Sequence, residues 1–166
     1  VIRDVLLGWF PPRMFTSYAY VAIAVGSALL VFLDACIRRE HYRQNRDKLD
    51  SVVNVFDALG LGVFTVSGVQ MAIDQYGMGN PFLLVLMGMT TGVGGGMLRD
   101  VLIDAMPKVL RKRIYAVASI VGAIGYYLLL RFGVDQTLST IIITVLITAL
   151  RILATVFKWN MPQAKL

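Results

Sequence analysis

The 166-residue sequence holds one cysteine, Cys36, and one histidine, His41. A lone cysteine excludes an internal disulfide and a cysteine metal cluster. Charge is scarce as well, with Asp, Glu, Lys and Arg making up 16% of the residues, against roughly 25% in soluble domains. No nucleophile–base pair, metal-ligand cluster or phosphate loop is present, so neither an enzyme nor a cofactor is expected. Gly94-Gly95-Gly96 is not followed by Gly-Lys-Ser or Gly-Lys-Thr and is no Walker motif. Nothing reads as a cleavable signal peptide. The net charge of +6 invites a nucleic-acid partner, but aromatic and basic residues are not interleaved into a base-binding surface.

What remains is apolar sequence in long blocks, 57% of the residues by composition. The blocks run 16–34, 51–73, 81–103, 114–130 and 136–157. Spanning a bilayer takes roughly 20 residues at about 1.5 Å each. The pattern predicts an all-α polytopic membrane protein surrounded by lipid.

One block carries Thr90-Thr91-Gly92-Val93-Gly94-Gly95-Gly96-Met97-Leu98-Arg99-Asp100. Glycine weakens a helix, and a charge near hydrocarbon needs a partner or water. Together they predict backbone that kinks out of regular helix beside a polar cavity, hence a pathway for a small solute or ion. Freed carbonyls suit a partly dehydrated cation. Close helix packing through small residues explains one or two glycines at helical spacing; three in a row exceed that and favour the kink, although both can hold at Gly92, Gly94, Gly95 and Gly96. Thr90 and Thr91 either line the pathway or bond back to helix carbonyls.

The sequence repeats at an offset of 96. Arg3, Asp4, Val5 and Leu6 fall on Arg99, Asp100, Val101 and Leu102, and Pro11 falls on Pro107. Val21, Ala22, Val25 and Gly26 then meet Val117, Ala118, Val121 and Gly122. This predicts two three-helix repeats and a seventh helix, with a glycine-rich stretch and one further helix expected ahead of Val1.

Charge sets the orientation. Arg38, Arg39, Arg43, Arg46 and Lys48 place the gap at 36–50 in the cytoplasm, and Lys108, Arg111, Lys112 and Arg113 do the same for theirs. The gap from Asp74 to Asn80 has no Lys or Arg and belongs outside, as does the loop from Arg131 to Gln136. Lys158 and Lys165 leave the C-terminus cytoplasmic. The loop after Arg3 carries only Arg13 and must be external, so the two repeats are inverted. The expected organisation is the remainder of a first repeat (1–34), a basic loop (35–50), the second repeat (51–130), helix 7 (136–157) and a cytoplasmic tail (158–166).

Gly94-Gly95-Gly96-Met97-Leu98-Arg99-Asp100-Val101-Leu102 resembles the glycine-triplet and Arg-Asp signature of bacterial relatives of the trimeric intracellular cation (TRIC) channels. Arg3-Asp4-Val5-Leu6-Leu7-Gly8 resembles the end of that signature in the first repeat. Asp57-Ala58-Leu59-Gly60-Leu61-Gly62-Val63-Phe64 with Ser67-Gly68 resembles the opening helix of the second. The resemblance implies a homotrimer of seven-helix subunits in a bacterial inner membrane. Each subunit would hold a pore beside its glycine-kinked second and fifth helices, permeable to potassium and other monovalent cations such as sodium. Some bacterial members carry a glycine-transporter label.

The remaining candidate residues each have two readings. Adjacent residues on a helix point about 100° apart, so Arg99 and Asp100 are expected to pair elsewhere, with Asp4 and Arg3. Those four charges either lock the repeats together or form a charged constriction. Asp57 caps or complements a helix N-terminus, or lines a vestibule. Thr65, Ser67 and Gln70 line a pore or bond back to the backbone. Arg151 is expected to snorkel to the headgroups. His41 is expected in solvent, Trp9 and Trp159 at the interface, and Pro11, Pro12 and Pro107 at helix stops. Three functions fit: a cation channel, a carrier for glycine or another small zwitterion, and a membrane scaffold.

Overall fold

Among the described residues, five of the six helices follow the apolar blocks closely. In the computed structural model they are α1 (Ile2–Leu6), α2 (Tyr18–Ile37), α3 (Arg46–Tyr76), α4 (Pro81–Leu102), α5 (Ile114–Arg131) and α6 (Gln136–Val156). The structure describes residues 2–12, 18–37, 46–104, 106–107 and 114–157. Arg13, His41, the basic residues Arg38, Arg39, Arg43, Lys108, Arg111, Lys112 and Arg113, and the tail with Lys158, Trp159 and Lys165 lie outside the described residues. Ser51–Tyr76, Pro81–Leu102 and Gln136–Val156 are long and apolar enough to cross a membrane, while α2 and α5 carry shorter apolar stretches, Val21–Asp34 and Tyr115–Arg131. Helix α3 begins at Arg46, inside the stretch expected as loop, because a helix can continue as a polar turn beyond the apolar span.

Local chemistry sets the helix ends. Pro81 sits in the first turn of α4, where its missing N–H costs nothing. The Asn80 side chain accepts from the Leu83 N–H at 3.1 Å, and Asp135 accepts from Thr137 and Leu138 at the start of α6.

The chain divides into two compact units, Val1–Val53 and Asn54–Leu166. In the first, α1 closes at Gly8, whose φ of +77° suits glycine. The Leu7 N–H bonds to the Arg3 carbonyl and the Gly8 N–H to the Val5 carbonyl. In the second unit, the end of α4 repeats this pattern at the same offset of 96. The Ile103 N–H bonds to the Arg99 carbonyl, the Asp104 N–H to the Val101 carbonyl, and Asp104 takes a φ of +54°. The matched sequences therefore share their local conformation as well.

In the second unit α4 packs on α5 and α5 on α6. Small residues bring the helices together, as expected where lipid removes the hydrophobic drive between them. On α4, Gly88, Gly92 and Gly96 recur every fourth residue. A Cβ on Gly88 would lie 3.1 Å from the Thr65 carbonyl oxygen and 3.2 Å from the Ala123 Cβ. On α3, a Cβ on Gly68 would lie 2.6 Å from the Met87 carbonyl, and one on Gly62 2.9 Å from the Thr144 carbonyl. Leu61, Val69, Leu84, Tyr126 and Ile147 fill the core among these crossings.

The glycine run does not interrupt α4, which stays helical from Pro81 to Leu102. The expectation of backbone leaving regular helix at this run is corrected. An unbroken helix satisfies its backbone groups internally, and Gly92 and Gly96 serve close contact instead.

Candidate functional site

Three helices of the second unit bring charge to one place, and a fourth adds a tyrosine. Asp57 lies eleven residues into α3, not at its start, so it does not cap that helix. Its Oδ1 accepts from Arg99 at 3.1 Å and from the Tyr115 hydroxyl at 3.4 Å. Its Oδ2 lies 3.5 Å from an Arg151 terminal nitrogen. The Asp57 and Arg151 side chains are 7% and 4% exposed, whereas that of Arg99 is 41% exposed.

Arg99 and Asp100 do pair with each other. Arg99 donates from Nε at 3.1 Å and from a terminal nitrogen at 2.9 Å, both to Asp100 Oδ1. Arg3 forks onto Asp4 Oδ1 in the same way, at 2.9 and 2.8 Å. The expectation that these neighbours point apart is corrected. The 100° separation applies to the Cα–Cβ bonds, and the long arginine chain folds back across it. The other partner of Arg99 is Asp57, a pairing that the sequence does not suggest.

Arg151 departs from expectation too. It is buried, with its guanidinium carbon 4.4 Å from the centroid of the Tyr115 ring. It does not snorkel, because an aromatic face and a carboxylate are both within reach in the core. Tyr115 was missed altogether. Its only sequence signal is an aromatic hydroxyl in the first turn of an apolar helix. Gly96 makes room for it, since a Cβ there would lie 2.8 Å from the Tyr115 oxygen.

One turn along α4 lies an uncharged polar crossing. Thr65 Oγ1 and Ser119 Oγ are 2.8 Å apart and fully buried. Gly92 sits against both, and a Cβ there would collide with Thr65 Oγ1. Thr65 thus occupies a packed junction of α3, α4 and α5. Ser67 and Thr90 are half-buried. Thr91 returns its hydroxyl to the Met87 carbonyl at 2.7 Å. Gly95 faces the other way, exposed, and a Cβ added there would meet nothing within 4 Å.

A second polar group lies about 20 Å further along α3 at 1.5 Å per residue. The Tyr126 hydroxyl donates to Gln70 Oε1 at 2.7 Å, and Gln70 donates to Asp74 at 2.7 Å. Polar chemistry is thus held at both ends of the apolar span, with the Thr65–Ser119 pair between them.

A family model described as "Glycine transporter" matches residues 54–131. The chain is 35% identical over 130 residues to a UPF0126 membrane protein of Deinococcus radiodurans, covering 77% of this chain and 56% of that protein. It is 32% identical over 162 residues to a Vibrio cholerae membrane protein of the same name, covering 96% and 62%. An Escherichia coli inner membrane protein is 36% identical over 123 residues, with 74% and 55% covered. The chain thus spans little more than half the length of these curated relatives. Among solved structures it resembles a chain from work on conductance through TRIC cation channels, with a TM-score of 0.80 and 30% identity over 99% of this chain and 76% of that one. A TRIC trimeric intracellular cation channel orthologue from Rhodobacter sphaeroides matches with a TM-score of 0.81 and 30% identity, over 95% and 76%.

Proposed function

Because the chain belongs to the trimeric intracellular cation (TRIC) channel family, we propose that it conducts monovalent cations, potassium and sodium among them, across a bacterial inner membrane. The observation that carries this reading is the likeness, along nearly the whole chain, to solved cation channels. The pathway runs along the open side of α4, where Gly95 is exposed and Gly94, Thr90 and Thr91 are half-buried. Gly92 and Thr65 support that wall from behind. Asp57, Arg99 and Asp100 stand at one mouth of the pathway, with Ser67 along the way. Arg3 and Asp4 are the counterparts of Arg99 and Asp100 in the first repeat. The subunits form a homotrimer with one pathway each, and the basic gaps and the C-terminus face the cytoplasm.

Planar-bilayer recording under a potassium gradient tests this. Current reversing near the potassium equilibrium potential is the expected result. Folded protein that passes no current would overturn the proposal.

The glycine-transporter description of residues 54–131 supports a second reading, a carrier for glycine or a similar zwitterion. Arg99 and Asp57 or Asp100 would then hold carboxylate and amine. The ion-pair distances weigh against it, since Arg99 already holds both aspartates. Saturable uptake of radiolabelled glycine without conductance would favour the carrier.

A further inference from the structure

The charge cluster of the second unit contains two arginines and two aspartates and is formally neutral. Asp57 is where that balance is struck. One of its oxygens takes Arg99 and Tyr115, and the other faces Arg151. Both of its oxygens therefore face other donors, so Asp57 is not placed to ligate a passing cation. Nor is the pair with Arg151 tuned for strength. Asp57 Oδ2 and Arg151 Nε are buried without a hydrogen-bond partner, and a buried ion pair with incomplete hydrogen bonding contributes little net stability. What the arrangement does achieve is cancellation of charge. Within the cluster only Arg99 has a side chain substantially open to its surroundings.

We infer that Asp57 is a selectivity-determining residue: by neutralising Arg99 and Arg151 jointly with Asp100, it keeps the open edge of the cluster from presenting a positive field to permeating cations. This rests on the channel reading above. Without Asp57 the cluster carries one excess positive charge, and without Arg99 one excess negative charge. An uncompensated charge acts over the screening length, about 10 Å in 0.1 M salt and about 3 Å in 1 M salt. Two substitutions should therefore shift permeation in opposite directions, and both shifts should fade in concentrated salt. Loss of packing alone has no such signature.

The test records the full-length protein in planar bilayers under KCl gradients, as wild type, Asp57→Asn, Arg99→Gln and Arg99→Lys. Asp57→Asn lowers the potassium-to-chloride permeability ratio, read from the reversal potential, by about twofold or more in ~0.1 M KCl. Arg99→Gln raises the low-salt potassium conductance by a similar factor, and Arg99→Lys stays at the wild-type value. Both differences vanish in ~1 M KCl. If Asp57→Asn does not fold, the more exposed Arg99→Gln still decides the matter through its salt dependence. A conducting wild type with unshifted variants, or variants that shift the same way, overturns the assignment of Asp57. A folded wild type with no cation current overturns the channel reading instead.

Discussion

Arg151 lies against Tyr115, guanidinium carbon to ring centroid 4.4 Å, while both reach Asp57 from different helices. The ring and the hydroxyl of Tyr115 thus do separable things. Tyr115→Phe keeps the ring and removes one hydrogen bond to a charged group, a loss of about 1–2 kcal/mol. Tyr115→Ala removes both and costs about 3–5 kcal/mol. Thermal unfolding in detergent should rank wild type above Tyr115→Phe and Tyr115→Phe well above Tyr115→Ala. Equal losses would mean that the ring contributes nothing beyond the hydroxyl.

Two neighbouring glycines should respond to alanine with opposite signs. Gly92→Ala drives a methyl into Thr65 Oγ1 at a junction with no slack, and should destabilise by about 1–3 kcal/mol. Gly95→Ala meets nothing within 4 Å, and should gain up to about 1 kcal/mol of helix stability. Melting midpoints of the two variants, measured side by side, check both signs at once.

The buried Thr65–Ser119 pair makes a prediction about coupling. Thr65→Val or Ser119→Ala each leaves a buried hydroxyl without its partner and costs about 1–3 kcal/mol. The double variant should lose less than the two single losses combined. Strict additivity in a double-mutant cycle would show that the 2.8 Å contact carries no interaction energy.

The two matched helix ends differ in one residue type. Gly8 is at home at φ +77°, and Gly8→Ala should cost about 1–2 kcal/mol through backbone strain alone, since no atom lies within 4 Å. Asp104 occupies the matching left-handed position at φ +54°. Asp104→Gly should relieve that strain and stabilise by roughly 0.5 kcal/mol. Calorimetry on both variants tests whether the shared geometry has the same energetic basis in each place.

The long elements could be read from the sequence because lipid imposes a simple rule on them. Pro81 and Gln136 begin helices where the apolar blocks at 81 and 136 begin, and both follow a capping residue, Asn80 or Asp135. The offset of 96 was visible in letters and is matched by two helix ends with the same hydrogen bonds. The charge cluster was legible only in part. Asp57, Arg99 and Asp100 stood out as charges in apolar surroundings, but their pairing depends on how α3 and α4 lie side by side. Arg151 looked like a headgroup anchor because nothing near it in sequence offers a partner. Tyr115 and Asp57 supply that partner only through the packing of three helices. The glycine run was ambiguous for the same reason, since Gly92 and Gly95 look identical in sequence and differ only in what faces them.

Asp57 gains its partners in the order in which the chain is made. Arg99 follows 42 residues later and Tyr115 58 residues later, and Arg151 arrives last of the three, on α6. An aspartate inside a membrane span without a counter-charge is disfavoured, by about 2.5–3.5 kcal/mol at the bilayer centre and by less toward either face. Helix α3 on its own is therefore a reluctant resident of the membrane, and α6 is the segment whose arrival completes its surroundings. Chains stalled before α6 should thus hold α3 less firmly than finished ones, and quality control acting on exposed intramembrane charge could tell the two apart.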